Sequence, residues 1–268
     1  MLIEHGERFG LREGVTRQGR VLHAVMLRNI RTRFFGHGLG YLVALAWPLT
    51  HIVILLALWS FASRAPPFGE SVVLFLATGT VPFMVFSYLS RFMQLSVIMT
   101  RPLLAFPEVK VLDVLFASAV LEILSSCCVV LILLVLAWFF DIPVMPRDIV
   151  EAFYAFGAAV LLGFGVGLLM GVIALAAPVW MTIYGLLTIV LWMTSGVIFV
   201  PDFLPEPMRT MASYHPVLQL VEWMRSAYYE GYGEGLLDRR YVLGVAIGSI
   251  FLGLVIERAT RGHVLALR

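Results

Sequence analysis

The chain has 268 residues, of which 60% are hydrophobic and only 13% are charged, with a formal net charge of +2 and a mean hydropathy of +0.93. Soluble domains carry about a quarter of charged residues, so this composition excludes an ordinary soluble protein, and nothing in it suggests nucleic-acid binding. Since one bilayer crossing takes about 20 apolar residues, the chain has room for roughly five to seven spans. The sequence predicts an all-α integral membrane protein without a large soluble domain.

The amino-terminal segment, residues 1–38, carries seven arginines and no long apolar run, which predicts a cytoplasmic tail. Within it Leu22, Met26, Ile30 and Phe34 recur every fourth residue, the pattern of an amphipathic helix that lies along the inner membrane surface. The arginines predicted to face headgroups or a protein below this interface helix are Arg20, Arg28, Arg31 and Arg33.

Residues 39–268 are predicted to form a six-span transmembrane domain. The predicted spans lie at about 39–62, 72–90, 114–140, 149–176, 181–200 and 241–256. With both termini inside, thirteen of the nineteen basic residues are cytoplasmic, as the positive-inside rule requires. Residues 201–240 contain prolines and an apolar stretch too short to cross, which predicts a re-entrant or periplasmic helical hairpin between spans five and six.

Two polar side chains within the predicted spans, Glu122 and His51, have either a structural or a functional explanation. A carboxylate at mid-membrane costs at least ~2.5 kcal/mol, so Glu122 should face protein or water. His51 is expected to bond to a neighbouring helix, with a proton relay as the alternative. Gly163, Gly167 and Gly171 form a four-residue repeat of the kind that lets another helix approach closely.

The stretch from Arg101 to Asp113 separates spans two and three and holds the only lysine of the chain, Lys110. Its two prolines leave room for at most a short helix between them. Leu103, Leu104 and Phe106 are then side chains that a cytoplasmic contact loop would offer to a partner. The alternative is a helix lying on lipid headgroups.

No motif of a metalloprotease, a nucleophile elbow or a phosphate-binding loop occurs in the sequence, so it predicts no catalytic residue and no metal site. An intramembrane enzyme therefore has no supporting constellation. If ATP powers transport, another chain must bind it.

Several segments together resemble the membrane subunits of type-2 ABC exporters over nearly the whole chain. They are the basic surface helix, the loop Arg101-Pro-Leu-Leu-Ala-Phe-Pro, Ser195-Gly-Val-Ile-Phe, Leu204-Pro, His215-Pro-Val and Val221-Glu-Trp-Met-Arg. The size and the stretch Tyr228-Tyr-Glu-Gly-Tyr resemble capsular polysaccharide exporters. Members of the family often have asparagine where this chain has His215.

The resemblance implies a homodimer in the bacterial inner membrane that joins two ATP-binding subunits, which hold ATP and Mg, and exports a lipid-linked capsular polysaccharide. Periplasmic and outer-membrane export proteins are further expected partners. The residues expected to couple to the ATPase are Arg101, Pro102, Leu103, Leu104, Phe106, Pro107, Glu108 and Lys110. The candidate channel or gate residues are Trp59, Glu122, Tyr184, Trp192, Glu222 and Arg225.

Two other functions fit the sequence. The same architecture would serve to export O-antigen, teichoic acid or a drug. A stand-alone ion-coupled transporter that uses His51 and Glu122 is the second alternative.

Overall fold

A computed structural model describes residues 11–32, 40–62, 65–106, 108–233 and 235–266 of the chain. These residues form nine α-helices and two short 3₁₀ helices, without a strand. The α-helices are α1 (Leu11–Thr32), α2 (Gly40–Ala62), α3 (Val72–Met99), α4 (Val111–Phe139), α5 (Ile149–Ala176), α6 (Trp180–Thr194), α7 (Glu206–Ser213), α8 (Pro216–Tyr228) and α9 (Arg239–Ala266). The 3₁₀ helices are Arg101–Ala105 and Pro201–Phe203. The prediction of an all-helical protein is confirmed.

Polar side chains fix where the long helices begin. The Ser71 hydroxyl accepts a hydrogen bond from the backbone N–H of Leu74 at 3.3 Å, and so caps α3. The Asp148 carboxylate accepts the N–H groups of Val150 and Glu151 at 2.9 and 3.0 Å, and so caps α5. Such caps satisfy backbone donors that have no partner within the helix, each contributing about 1 kcal/mol.

Five helices, α2, α3, α4, α5 and α9, are long and apolar enough to cross a membrane. The fifth predicted span, at about 181–200, corresponds to α6, an apolar helix of only 15 residues, about 22 Å long at 1.5 Å per residue. It ends at Thr194, short of the predicted end at Val200, and the chain turns at Gly196 with φ 75°. This left-handed conformation suits glycine and does not continue a helix.

Two of the helices run beyond the predicted spans. α3 continues past Ser90 to Met99, because Met93 and Val97 on its extension are buried in the core. α9 continues past Ile256 to Ala266. In α3, packing against neighbouring helices, which apolar run lengths do not reveal, accounts for the extension.

α3 and α5 are the central helices, with 67% and 61% of their apolar windows buried against 17% for α2. The glycine repeat of α5 faces α3, as a close-packing ridge should. A Cβ atom added at Gly163 would lie 3.0 Å from the carbonyl oxygen of Phe86, and one at Gly167 would lie 2.9 Å from the Cα atom of Ser90. On the other side of α5, a Cβ at Gly165 would lie 2.6 Å from the carbonyl oxygen of Ala246 in α9. Small residues therefore let α5 contact two helices at backbone distance.

The amphipathic helix α1 packs against the beginning of α4. Its fully buried residue is Val25, with Val21, Leu22 and Met26 half-buried around it, so the buried face lies beside the predicted stripe; Phe34 lies outside the described residues. The side-chain amide of Gln18 donates to the Asp113 carboxylate. This contact joins α1 to the first turn of α4.

Candidate functional site

The residues predicted as an outer hairpin contain two short helices, as expected, but only one of them is a surface helix. α7 has no buried residue, whereas every residue of α8 from Val217 to Arg225 is buried. α8 packs on α3 and α5 in the main core. Three polar side chains of α8 at three-residue spacing, Gln219, Glu222 and Arg225, are completely inaccessible to solvent.

Arg225 binds backbone carbonyl groups from three directions. One guanidinium nitrogen donates to the carbonyl oxygen of Gly196 at 2.7 Å and, at 3.3 Å, to that of Phe199. The other donates to Val197 at 2.8 Å and to Phe75 of α3 at 3.4 Å. The guanidinium carbon also lies 3.8 Å from the centre of the Phe75 ring, a cation–π contact. Arg225 therefore joins α8 to α3 and to the segment that follows α6.

Gly79 of α3 makes room for this arrangement. A Cβ atom there would lie 2.9 Å from a nitrogen of Arg225 and 3.0 Å from the Cα atom of Val197. Any larger residue at this position would displace the Arg225 guanidinium or the segment around Val197 that follows α6.

Glu222 and Tyr232 complete the cluster around Arg225. The Tyr232 hydroxyl donates to the Glu222 carboxylate at 3.1 Å and accepts from Arg225 at 3.2 Å, while the Arg225 Nη1 and Glu222 Oε1 atoms lie 3.8 Å apart. The second oxygen of Glu222 has no hydrogen-bond partner among the described residues. Burial raises the pKa of Glu222 to about 7, against the opposing effects of Arg225 and the Tyr232 hydroxyl. The cluster thus holds a carboxyl group that titrates near neutral pH.

Gln219 fixes the chain on both sides of α8. Its amide nitrogen donates to the carbonyl oxygens of Ser213 and Leu236 at 2.8 and 2.9 Å, and its oxygen accepts from the N–H of Asp238 at 2.8 Å. These bonds tie the end of α7 and the residues before α9 to the buried helix.

His215 caps α8 at the position where the family resemblance leads us to expect asparagine. Its Nδ1 atom accepts the N–H of Leu218 at 2.9 Å, and its Nε2 atom lies 3.0 Å from the Thr194 hydroxyl at the end of α6. Burial lowers the pKa of His215, which favours the neutral ring that can accept this bond. An asparagine oxygen would make the same cap, so the departure leaves the local structure intact.

At the far side of α8, Trp223 joins the ends of α5 and α9. Its indole N–H donates to the Glu151 carboxylate at 2.8 Å, and Arg239 forms an ion pair with the same carboxylate at 3.4 Å. Neither Glu151 nor Gln219 nor Tyr232 stands out in the sequence. For Gln219 the available signal is its helical spacing with Glu222 and Arg225 in an apolar segment that follows Pro216.

Among the predicted channel or gate residues, only Glu222 and Arg225 come together. Tyr184 is buried and lies 2.6 Å from the Ser90 hydroxyl, measured between the two oxygen atoms. Trp59 and Trp192 are half-buried in separate apolar clusters. The cluster of Trp59 includes Phe75 and Tyr232, which contact Arg225, and the cluster of Trp192 includes Val221 and Trp223 of α8.

Glu122 is buried and lines a cavity of about 30 Å³ between α2, α3 and α4. Tyr88 and Ser125 line the same cavity, and the Tyr88 hydroxyl lies 3.3 Å from Nδ1 of His51. Tyr88 therefore connects His51, which does not line the cavity itself, to the cavity that Glu122 lines. Glu122 faces protein, as its burial cost requires.

The loop between α3 and α4 forms the short helix that its prolines allow, Arg101–Ala105. Phe106 is 60% exposed, but Leu104 is only 3% exposed and packs in the same cluster as Val25 of α1. The expectation that Leu104 is offered to a partner is wrong, because the 3₁₀ turn directs it inward. Leu103 is half-buried, and the exposed residues of the predicted coupling set are Arg101, Pro102, Phe106, Glu108 and Lys110.

Two predicted members of the cytoplasmic surface, Pro107 and Arg33, lie outside the described residues. Arg20 and Arg31 of α1 are exposed and Arg28 is half-buried. Helix α1 and the loop between α3 and α4 pack in one apolar cluster, so their exposed residues lie on the same region of the protein surface.

Comparison with known proteins places this architecture in a family. The family of ABC-2 type transporters matches residues 20–229, from within α1 to the end of α8. The chain belongs to the ABC-2 type transporter family. The resemblance inferred from the sequence motifs is confirmed.

Relatives from three bacteria cover almost the whole chain. The polysialic acid transport protein KpsM of Escherichia coli is 27% identical over 247 residues, 92% of this chain and 96% of KpsM. The capsule polysaccharide export inner-membrane protein BexB of Haemophilus influenzae is 26% identical over 228 residues, 85% of this chain and 86% of BexB. CtrC of Neisseria meningitidis serogroup A, a protein with the same description as BexB, is 25% identical over 254 residues, 93% of this chain and 95% of CtrC.

Proposed function

We propose that this chain is the membrane subunit of an ATP-driven exporter that moves a lipid-linked capsular polysaccharide across the bacterial inner membrane. The observation that carries the proposal is the match over most of the chain to KpsM, whose name describes polysialic acid transport, and to BexB and CtrC, whose names describe capsule polysaccharide export. A separate subunit binds ATP and Mg and supplies the energy, since this chain carries no phosphate-binding loop.

The proposed topology has six spans with both termini in the cytoplasm. α6 serves as a short fifth span, and the non-helical residues 195–200 complete its crossing. α8 is a re-entrant helix, supported by its burial among α3, α5 and α9 and by the hydrogen bonds that Gln219 and Arg225 make inside the protein, since lipid would leave these groups unpaired.

The proposed assembly contains two copies of the chain and two ATP-binding subunits. α2 and α6 support it, because both expose large apolar side chains along their length, including Trp47, Leu58 and Phe61 of α2 and Leu186 and Val190 of α6. Six packed helices leave little space for a hydrated polymer, so a path framed by two copies fits the cargo better. Periplasmic and outer-membrane export proteins then receive the polymer.

The ATPase subunits contact the cytoplasmic surface formed by α1 and the loop. Exposed Phe106 and the arginines of α1 are the contacting groups, and Leu104 carries the movement into the core because it packs against α1 and α4. At the other end, Arg225 and Glu222 hold α8 in place as part of the exit gate.

Complementation tests the proposal. A strain that lacks its own membrane subunit but keeps the ATPase and polymer-synthesis genes is given this chain, and surface capsule is measured with a capsule-specific stain. We expect polymer at the cell surface and an ATPase subunit that co-purifies with the chain. Polymer that stays inside although the chain is inserted in the membrane would contradict the proposed cargo and leave O-antigen, teichoic acid or a drug to be tested.

A second candidate is a stand-alone ion-coupled transporter, favoured by Tyr88, which contacts His51 and lines the same cavity as Glu122. It predicts flux into vesicles that contain only this chain, driven by an ion gradient and abolished by Glu122→Gln. Absence of gradient-driven flux would exclude it.

A further inference from the structure

Arg91 is the one charged residue of α3 and also its one exposed residue between Ser71 and Ile98. All the others in this stretch are buried or half-buried. Since α3 is the most buried of the five long apolar helices, an exposed guanidinium here needs a reason.

The position of Arg91 along α3 places it at the inner boundary of the bilayer. The preceding residues, 72–90, span about 28 Å at 1.5 Å per residue, close to the ~30 Å of a hydrocarbon core. With the proposed cytoplasmic orientation of the loop at Arg101, Arg91 lies at the depth of the inner-leaflet headgroups.

Gly185 of α6 leaves room for the guanidinium group of Arg91 directly against the helix backbone, and we call this position its seat. A Cβ atom at Gly185 would lie 2.6 and 3.2 Å from the two terminal nitrogens of Arg91, so the group lies directly against the α6 backbone. Next to it the Tyr184 and Ser90 hydroxyls are 2.6 Å apart, and the Gln94 amide donates to the Trp180 carbonyl at 3.5 Å. These bonds hold α3 and α6 on both sides of the arginine.

Within the described part of the chain, no carboxylate lies within 4 Å of Arg91. Arg147, Arg209, Arg225 and Arg239 each have such a carboxylate. A guanidinium offers five donors in a planar fork that matches phosphate oxygens two at a time, and phosphate is the abundant anion at headgroup depth.

We propose that Arg91, seated against Gly185, binds a lipid-borne phosphate at the inner leaflet. The inference rests on the proposed function for the orientation of α3 and for the nature of the cargo. The phosphate belongs either to an anionic phospholipid of the bilayer or to the lipid end of the exported polymer. In the second case the contact of Arg91 with α6 is where the cargo first meets the protein.

Binding is measured on the complex of the chain with its ATPase subunits in nanodiscs of a phosphate-free galactolipid, to which phosphatidic acid is added. Native mass spectrometry counts the retained phosphatidic acid. Arg91→Gln is expected to lower retention at least about tenfold, because charge-assisted hydrogen bonds are lost, and Arg91→Lys to lower it less. Gly185→Ala should weaken binding by moving the guanidinium from its seat.

The matched control is Arg147→Gln, which removes an exposed arginine that is paired with Glu230. It should retain phosphatidic acid as the wild type does. Gel filtration of each variant confirms that the complex is assembled. Equal retention by wild type and Arg91→Gln, or equal loss in Arg147→Gln, would overturn the inference.

Purification from capsule-producing cells identifies the source of the phosphate. If it is the polymer anchor, Arg91→Gln lowers both co-purifying glycan and capsule export. If it is a bilayer phospholipid, glycan is unchanged while tightly bound phospholipid is lost. Should the wild type restore capsule while Arg91→Gln keeps its bound phosphate, only this inference fails. Should the wild type restore none, the proposed function fails and the nanodisc result stands by itself.

Discussion

Replacing Arg225 by methionine tests whether the α8 cluster holds the outer part of the protein together. The substitution leaves the carbonyl oxygens of Gly196 and Val197, now bonded at 2.7 and 2.8 Å, without their donor in a fully buried place. Each unpaired buried acceptor costs about 1–3 kcal/mol. Glu222 limits the further penalty by taking up a proton, since its pKa is already about 7. The expected loss of stability is therefore about 3–5 kcal/mol, in the range measured when one partner of a buried pair is removed.

The assay is thermal unfolding of the detergent-solubilised chain, followed by the loss of its gel-filtration peak after heating. At about 2–4 °C per kcal/mol for a chain of this size, the melting temperature should fall by at least about 6 °C. Arg209→Met is the control, because its ion pair with Asp202 at 3.1 Å is partly exposed and such pairs contribute about 0–1 kcal/mol. A melting temperature of Arg225→Met equal to that of Arg209→Met would refute the role assigned to the cluster.

Three further predictions follow from the same contacts. The folded-state pKa of Glu222 is raised to about 7, so the contribution of its protonated form to stability is complete below its ordinary pKa and is lost as pH rises through 7. Between about pH 5 and pH 8 this loss amounts to at most roughly 3 kcal/mol of unfolding free energy. Glu222→Gln should therefore flatten the fall in melting temperature over this range, and an unchanged slope would contradict the prediction. Gly163→Val should lower the melting temperature by separating α5 from α3, whereas Gly157→Val, at a position with no neighbour within 4 Å, should not; equal effects would refute the close packing. Phe106→Asp should leave the melting temperature unchanged but reduce capsule export and ATPase co-purification, while Leu104→Asp should destabilise the chain itself; normal export by Phe106→Asp would remove the loop from the contact.

The sequence predicts the existence of the helices better than their ends or their partners. Runs of apolar residues identify all five long helices, because lipid imposes the same requirement on each of them. The extension of α3 beyond Ser90 is not predictable from hydropathy, since it depends on Met93 and Val97 packing against other helices. Likewise Leu104 and Phe106 look equivalent in sequence, and only the turn of the 3₁₀ helix separates a buried side chain from an exposed one.

For a similar reason the sequence predicts only a part of the candidate site. Glu222 and Arg225 stand out as charges in an apolar segment, but Arg225 binds mainly backbone carbonyls, those of Phe75 and of residues in 196–199, which any residue type provides. Tyr232 and Gln219 are contacts between segments that the linear pattern does not connect. The predicted aromatic channel residues each belong to local packing clusters, a role that aromatic side chains fill in most helical proteins.

The contacts of α8 impose an order on biosynthesis. Arg225 needs Tyr232, and Gln219 needs the N–H of Asp238 and the carbonyl of Leu236, all of which leave the ribosome after α8 itself. Until that following segment is synthesised, α8 with its charged side chains has no completed site to pack into, and it must remain at the translocon or in water. A nascent chain stopped before Asp238 should therefore be recognised as unfinished by membrane quality-control proteases, even though its first five apolar helices are already inserted.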